Sequence, residues 1–346
     1  MKEVMRLTKK QTIYDIAQEL NLAPGTISKV LNQTGNVSHK TRERVLAYIK
    51  EVGYVPNNSA RMLKSKRTYT VGIVFTEESD VGLEHPFFSS ILQHFKSYVE
   101  TQGYELSFIV KKLGQHELSY LEWCMNKRVD GVYIVVGNYN DQGLYELINS
   151  GIPSVSNDML VPGLHTVISD NDMGIKLMIE YIKDELKLQR ISFISGPKSS
   201  KAFNERIEAF HHYMNAYGLE EVGEITYSES FGFTSGYNAV KHLMAHVSKR
   251  PELIIVASDD LALGVMKGLK DLGLNIPSDI QIMGYDDIAY AKHFSPPITT
   301  IRQDRKLLGV TAAKRLLELI ENPDEKMEEV VRLPVELIIR ESTQKK

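Results

Sequence analysis

From Tyr69 onward the chain alternates short β-rich runs with helical stretches, and that alternation restricts it to parallel sheets with right-handed crossovers. Tyr69 to Phe75 is the first such run. A helical stretch with Phe88, Ile91, Leu92, Phe95 and Val99 on one face follows, and further strands are predicted at Tyr104 to Val110 and Gly131 to Val136. The second half repeats the scheme, with strands at Arg190 to Ser195, Leu253 to Ala257 and Ile280 to Met283. The expected body is therefore an α/β structure of two doubly wound parallel-sheet lobes. A chain of 346 residues is too long for one core, which agrees with such a division.

The first 67 residues differ in charge from the rest. They carry 13 Lys and Arg against 5 Asp and Glu, a net of +8, whereas the remainder carries a net of −11. A basic head on an acidic body suits a module that grips a polyanion, although a solvated charged face would give the same count. No apolar run reaches the length of a membrane span and no secretory h-region follows Met1 to Arg6, so a cytoplasmic protein is expected. The single cysteine, Cys124, fits a reducing compartment.

Within the head, Thr12 can cap a helix on which Ile13, Ile16, Ala17 and Leu20 share a face, with Asp15 placed to return the bond. Asn21 can end it in a left-handed turn. Pro24 suits the first turn of a second helix, with Ile27, Val30 and Leu31 inward and Thr26, Ser28, Lys29 and Asn32 outward. A third helix is expected from Ser38 to Val52. Two short helices across a tight turn read as a helix-turn-helix, although any small helical hairpin could imitate the pattern. In the major groove, small polar side chains would meet base edges and phosphates, and Lys29 would reach a guanine or a phosphate.

The stretch Thr12 to Ala17, then Thr26 to Asn32, Val37 to Arg42 and Gly53 to Asn57 resembles the headpiece of the LacI/GalR family of transcription regulators in both order and spacing. The resemblance implies that Thr26, Ser28, Lys29 and Asn32 lie on the recognition helix and that Thr12 touches a phosphate. Pro24 and Gly25 stand where base-reading side chains are common in the family, and Ala23 where a capping serine is common. The operator sequence is thereby left open. The resemblance also turns the segment after Pro56 from a linker into a hinge helix. Asn57 would then contact the DNA, Ala60 would lie close to the minor-groove floor, Arg61 would meet phosphate, and Leu63 would wedge between base pairs.

Over the body the same resemblance implies a periplasmic-binding-protein-like core. The expected domains are a headpiece at 1–55, a hinge at 56–68 and an effector-binding and dimerisation domain at 69–346. The last divides into lobe one, 69–187 plus 303–332, and lobe two, 188–302 plus 333–342. The chain would cross between lobes near Leu188, Arg302 and Arg332.

Open α/β sheets bind ligands beyond the carboxyl ends of their strands. Phe87, Phe88, Asp170, Ser195, Arg206, Ser258 and Asp286 fall there, and Phe231 aligns by resemblance with an aromatic that stacks on the ligand. Each has a plainer reading. Asp259, beside Ser258, is well placed to cap the next helix, Asp286 and Asp287 could cap a short one, Arg206 has Glu205 and Glu208 for ion pairs, and Phe231 could be core. An arginine, carboxylates and an aromatic suit a polyhydroxylated ring, so a sugar or sugar phosphate is the first expectation and a nucleobase the second.

A transport system's solute-binding protein would share the body but have no use for a basic head. No Gly-rich phosphate loop, no zinc-protease motif and no nucleophile elbow is present, so neither an enzyme nor a metal or other cofactor is expected. The expected partners are a near-palindromic double-stranded operator, a carbohydrate effector and a second copy of the chain. The sequence after Val335 to Ile339 lacks the heptads of tetrameric relatives, which favours a homodimer. A phosphocarrier co-regulator is compatible with all of this.

Overall fold

The computed structural model describes residues 11–31, 35–54, 67–75, 83–157 and 159–345. It divides into two units at Thr68/Tyr69.

In the first unit, α1 (Ile13–Glu19) starts in a capping box. The Thr12 Oγ1 accepts from the Asp15 backbone at 3.3 Å, and the Asp15 carboxylate accepts from the Thr12 backbone at 2.6 Å. Asn21 turns the chain at φ 51°, and α2 (Pro24–Leu31) follows. Helix α3 (His39–Glu51) is capped by Ser38. Ile16, Ala17, Leu20, Ile27, Val30 and Val45 form one small core. The Arg44 guanidinium donates to the Leu20 carbonyl at 2.7 Å, which satisfies an orphan acceptor at the end of α1 and ties α3 to it.

The second unit holds two main sheets. The first runs β14–β7–β6–β5–β1–β2, all parallel. Its strands are β1 (Thr70–Phe75), β2 (Glu105–Phe108), β5 (Gly131–Val136), β6 (Ser154–Ser156), β7 (His165–Ser169) and β14 (Val330–Leu333). Between β2 and β5 lies a small hairpin of β3 (Lys112–Leu113) and β4 (His116–Glu117). Strand β5 is buried on both faces, as a central parallel strand must be. Its Tyr133 and Val135 join the core under α4 (Pro86–Thr101) and a late helix, Arg305–Glu321. Its Val132 and Ile134 pack under α5 (Tyr120–Lys127) and α6 (Gln142–Ile148).

The second sheet runs β10–β8–β11–β12–β13–β15, with β9 also on β8. It comprises β8 (Arg190–Ser195), β9 (Glu220–Glu221), β10 (Thr226–Tyr227), β11 (Leu253–Val256), β12 (Gln281–Asp286), β13 (Thr299–Gln303) and β15 (Val335–Ile338). Only β13–β15 is antiparallel among its pairings. Helices α7 (Asn171–Tyr181) and α8 (Lys201–Tyr217) cover one face; α9 (Phe233–His246) and α10 (Asp259–Asp271) cover the other. The late helix Arg305–Glu321 is α11.

One expected boundary moves. The expected bounds put α7 in lobe one, but its Ile175, Met178 and Ile179 pack with Ile191, Phe193 and Phe210 in the second lobe. The chain therefore leaves the first lobe at Asp170 instead of near Leu188. It returns after Gln303, where α11 packs on α4, and passes over again at Pro334, between β14 and β15.

Candidate functional site: a recognition helix and an interlobe cavity

On α2, Ile27 and Val30 are buried, Thr26 and Ser28 half-buried and Lys29 exposed. The inward pair anchors the helix and leaves the polar face outward. Gly25 has open space where a side chain would stand. Thr12 is exposed, but its hydroxyl also donates to the Asp15 carboxylate at 2.7 Å. Asn32, Asn57, Ala60, Arg61 and Leu63 lie outside the described residues, and the hinge helix with them.

In the body, the strand orders reverse beside β1 in the first sheet and beside β8 in the second. A cavity opens beyond the carboxyl ends of both sheets, where switch points place ligands. Phe87 and Phe88 line it from the first lobe, edge to face with centroids 5.2 Å apart. Phe203 and Phe231 line it from the second, 5.5 Å apart. Between these aromatic walls sit Arg206, Ser258 and Asp286.

Arg206 is 4% exposed, so the reading of a surface ion pair fails. Its Nε donates to the Asn171 Oδ1 at 2.8 Å, and one terminal nitrogen donates to the Ala257 carbonyl. Its guanidinium carbon lies 3.6 Å from the Tyr285 ring centroid. Among the described residues the other terminal nitrogen has no acceptor, which leaves a donor for the cavity.

Asp286 ends β12 with φ 114°, and Asp287 follows with φ 51°. Two successive non-glycine residues in left-handed backbone store strain, which is common where a side chain is aimed at a ligand. Gln303 donates to the Asp286 Oδ1 at 2.6 Å, and Arg305 holds the carbonyls of both residues. Burial pushes the Asp286 carboxyl up to about 7, against the opposing pull of Arg206 and Gln303. Asp287 caps no helix; it pairs with Arg302 at 2.7 Å and Arg340 at 2.6 Å.

Three expectations are corrected. Asp170 is not on the cavity wall: its carboxylate accepts from the Met173 backbone at 3.0 Å and caps α7. Ser195 is fully buried at the end of β8 and is likewise off the wall. The Phe203 ring occupies the space over neighbouring Gly196, where an added Cβ would stand 1.8 Å from it. Asp259 is no cap either. Ser258 caps α10, accepting from the Leu261 backbone at 3.3 Å, while Asp259 is buried and accepts from Thr300 at 2.7 Å and from the Ile288 backbone at 3.0 Å. Burial, and then the charge of Asp286, holds the Asp259 carboxyl well above the usual range.

Sequence reasoning missed several wall residues, among them His85, Asn157, Ser169, Asn171 and Gln303. Most stand at strand ends, the signal that found the others. Asn157 follows β6, whose three residues after Pro153 are too short to read as a strand. Its side chain is committed to Tyr133 and to the Val167 carbonyl, so it shapes the wall. Among the described residues the Ser169 hydroxyl and the His85 Nδ1 are buried without a partner, and burial pulls the His85 ring down to about 4, which keeps it neutral.

A family model described as "Bacterial regulatory proteins, lacI family" matches residues 12–57, and one for a periplasmic binding protein-like domain matches 184–343. The chain is 30% identical to the HTH-type transcriptional repressor PurR of Vibrio vulnificus over 341 residues, covering 96% of this chain and 99% of that one. The chain belongs to the LacI family. A structure of the Lac repressor dimer bound to operator and an anti-inducer is similar at TM-score 0.78 and 28% identity, over 97% of this chain and 99% of that one. The complex of the regulator CelR with cellobiose is similar at TM-score 0.69 and 27% identity, over 96% and 99%. As a LacI-family chain the protein is a DNA-binding regulator, and the α1–α2 pair is its helix-turn-helix. Among the described residues no helix is long and apolar enough to cross a membrane.

Proposed function

We propose that this protein is a cytoplasmic, homodimeric repressor. It binds a near-palindromic operator through α2 and a hinge at 56–68, and a small polyhydroxylated molecule, a sugar or sugar phosphate, controls that binding. One observation carries the effector reading: an Arg206 donor that is unpaired among the described residues and the Asp286 carboxylate face a single cavity walled by four phenylalanines. Paired hydroxyls donate to Asp286 and accept from Arg206, and the apolar face of a sugar ring lies on the aromatic wall. In the head, Lys29 on the exposed face of α2 supplies the base or phosphate contact, with Thr26 and Ser28 beside it.

A second reading, a nucleobase effector, draws on the same aromatic walls, which suit a flat heterocycle. A thermal-shift screen of sugars, sugar phosphates and nucleobases separates the two, since a ligand selective for the folded state raises the melting temperature. A sugar that raises it and changes the yield of operator complex supports the first reading. A response to nucleobases alone replaces it with the second.

A further inference from the structure

Glu205, one residue before the cavity arginine, is tied to the other lobe. Arg332, on β14 of the first lobe, donates through both terminal nitrogens to its carboxylate, at 2.6 Å to Oε1 and 3.1 Å to Oε2. Such a two-pronged bond fixes orientation as well as distance. The same carboxylate accepts from the Asn171 Nδ2 at 2.8 Å. Asn171 is 2% exposed, and its Oδ1 accepts from Arg206. The amide has one arrangement that serves both neighbours, because the guanidinium only donates and the carboxylate only accepts. An unbroken line of bonds thus runs from β14 through Glu205 and Asn171 to the cavity.

The surroundings add to the pull on Arg332. It faces Asp170, Asp172, Glu205 and Glu208 across one surface depression. Three of these belong to second-lobe helices, and Asp170 is the residue at which the chain crosses. Without the cation, several carboxylates confront one another there. Burial alone would raise the Glu205 carboxyl, but its bonds to Arg332 and Asn171 bring it below the usual range, so the pair is ionised at neutral pH.

We propose that Glu205 is a positioning residue: with Arg332 it latches the lobes closed, and through Asn171 it holds Arg206 in the orientation that meets the effector. The latch rests on the reading of the cavity as an effector site only in its second half; closure itself needs no ligand. Opening the lobes pulls Arg332 off Glu205 and slackens the Asn171 bond that orients Arg206. Lobe closure and cavity geometry are therefore linked by one coupling free energy.

The test measures closure in the full-length protein without ligand. Nitroxides on Glu146→Cys in α6 and Asn215→Cys in α8, both exposed positions in opposite lobes, report the interlobe distance by pulsed electron resonance, with unlabelled protein added to suppress distances between subunits. The expected result is a short, narrow distribution for the parent that moves to longer and broader distances in Arg332→Gln and in Glu205→Gln. Arg332→Lys, which keeps the charge but loses the fork, should recover part of the shift. Thermal melts identify any variant that fails to fold, and either of the two neutral variants suffices. Distributions that match the parent in a folded variant overturn the latch. A shift in a protein whose melting temperature responds to no sugar, sugar phosphate or nucleobase in the screen leaves the latch standing and removes the effector reading.

Discussion

Arg206 lies over the ring of Tyr285, its guanidinium carbon 3.6 Å from the ring centroid, with both groups almost fully buried. The Tyr285 hydroxyl sits in turn where a Cβ on Gly174 would be, 2.3 Å away. The arginine is thus sandwiched between a fixed ring and the cavity, and a planar, permanently charged group is the one that fits. Arg206→Ala should weaken the ligand recovered from the thermal-shift screen by roughly 10- to 100-fold, the usual loss for a buried charged hydrogen bond. Arg206→Lys should do nearly as badly, because an ammonium cannot stack and bond Asn171 and Ala257 together. Calorimetric titration decides; an unchanged isotherm for either variant removes Arg206 from the site.

Asp286 makes stability depend on pH in an unusual direction. Its folded-state pKa, about 7, lies above the ordinary 3.8, so the folded protein keeps a proton that the unfolded chain gives up. The stabilising contribution of this group is complete below about pH 4 and is lost as pH rises through about 7. Asp286→Asn should therefore raise the melting temperature at pH 8 and flatten its fall between about pH 4 and pH 7, relieving on the order of 3 kcal/mol at neutral pH. Asparagine also tolerates positive φ, so the backbone is not at issue. A variant whose melting temperature follows the parent's at every pH would show that the carboxylate is ionised throughout.

Gly284 is required for a close approach. A Cβ there would stand 2.1 Å from the Asp259 Oδ1, in a strand with no room to yield. Gly284→Ala should cost about 2 kcal/mol or more, by overpacking and by disturbing the Asp259 bonds to Thr300 and Ile288. Urea unfolding monitored by circular dichroism reads the shift in midpoint, and a midpoint within error of the parent's contradicts it.

Lys29 is the test of the head. Its replacement by alanine should abolish preference for an operator selected from a randomised pool, and should lower the slope of log affinity against log salt by about one if the contact is to phosphate. Gel-shift titrations at several salt concentrations separate the cases. Equal affinity and equal slope in parent and variant would take Lys29 off the duplex.

Much of this architecture is legible in the sequence. The β-rich runs at Tyr69, Gly131, Arg190 and Leu253 are central strands, and burial on both faces makes them continuous in apolar character. Thr12, Ser38 and the Asn21 turn follow from local hydrogen bonding, which a sequence carries directly. Phe87, Phe88, Arg206, Ser258 and Asp286 come together at the cavity as strand-end logic expects, and Phe231, placed by resemblance alone, joins them. The failures are of another kind. Nothing in Ile175, Met178 and Ile179 says which sheet their helix covers, because an apolar face suits either. Asp170 and Ser195 stand at strand ends as the true wall residues do; whether such a side chain reaches the cavity or turns to its own helix depends on packing between elements distant in sequence.

The three passages between lobes, at Asp170, Gln303 and Pro334, also govern the order of assembly. The first lobe's sheet is bordered by β14, and its α4 face is closed by α11; both come from the last fifth of the chain. During synthesis, then, the half that emerges earlier stays unfinished longer, with one edge and one face uncovered until almost everything else has left the ribosome. Early termination would strip that half of its cover, and neither half can be produced by cutting the polypeptide once.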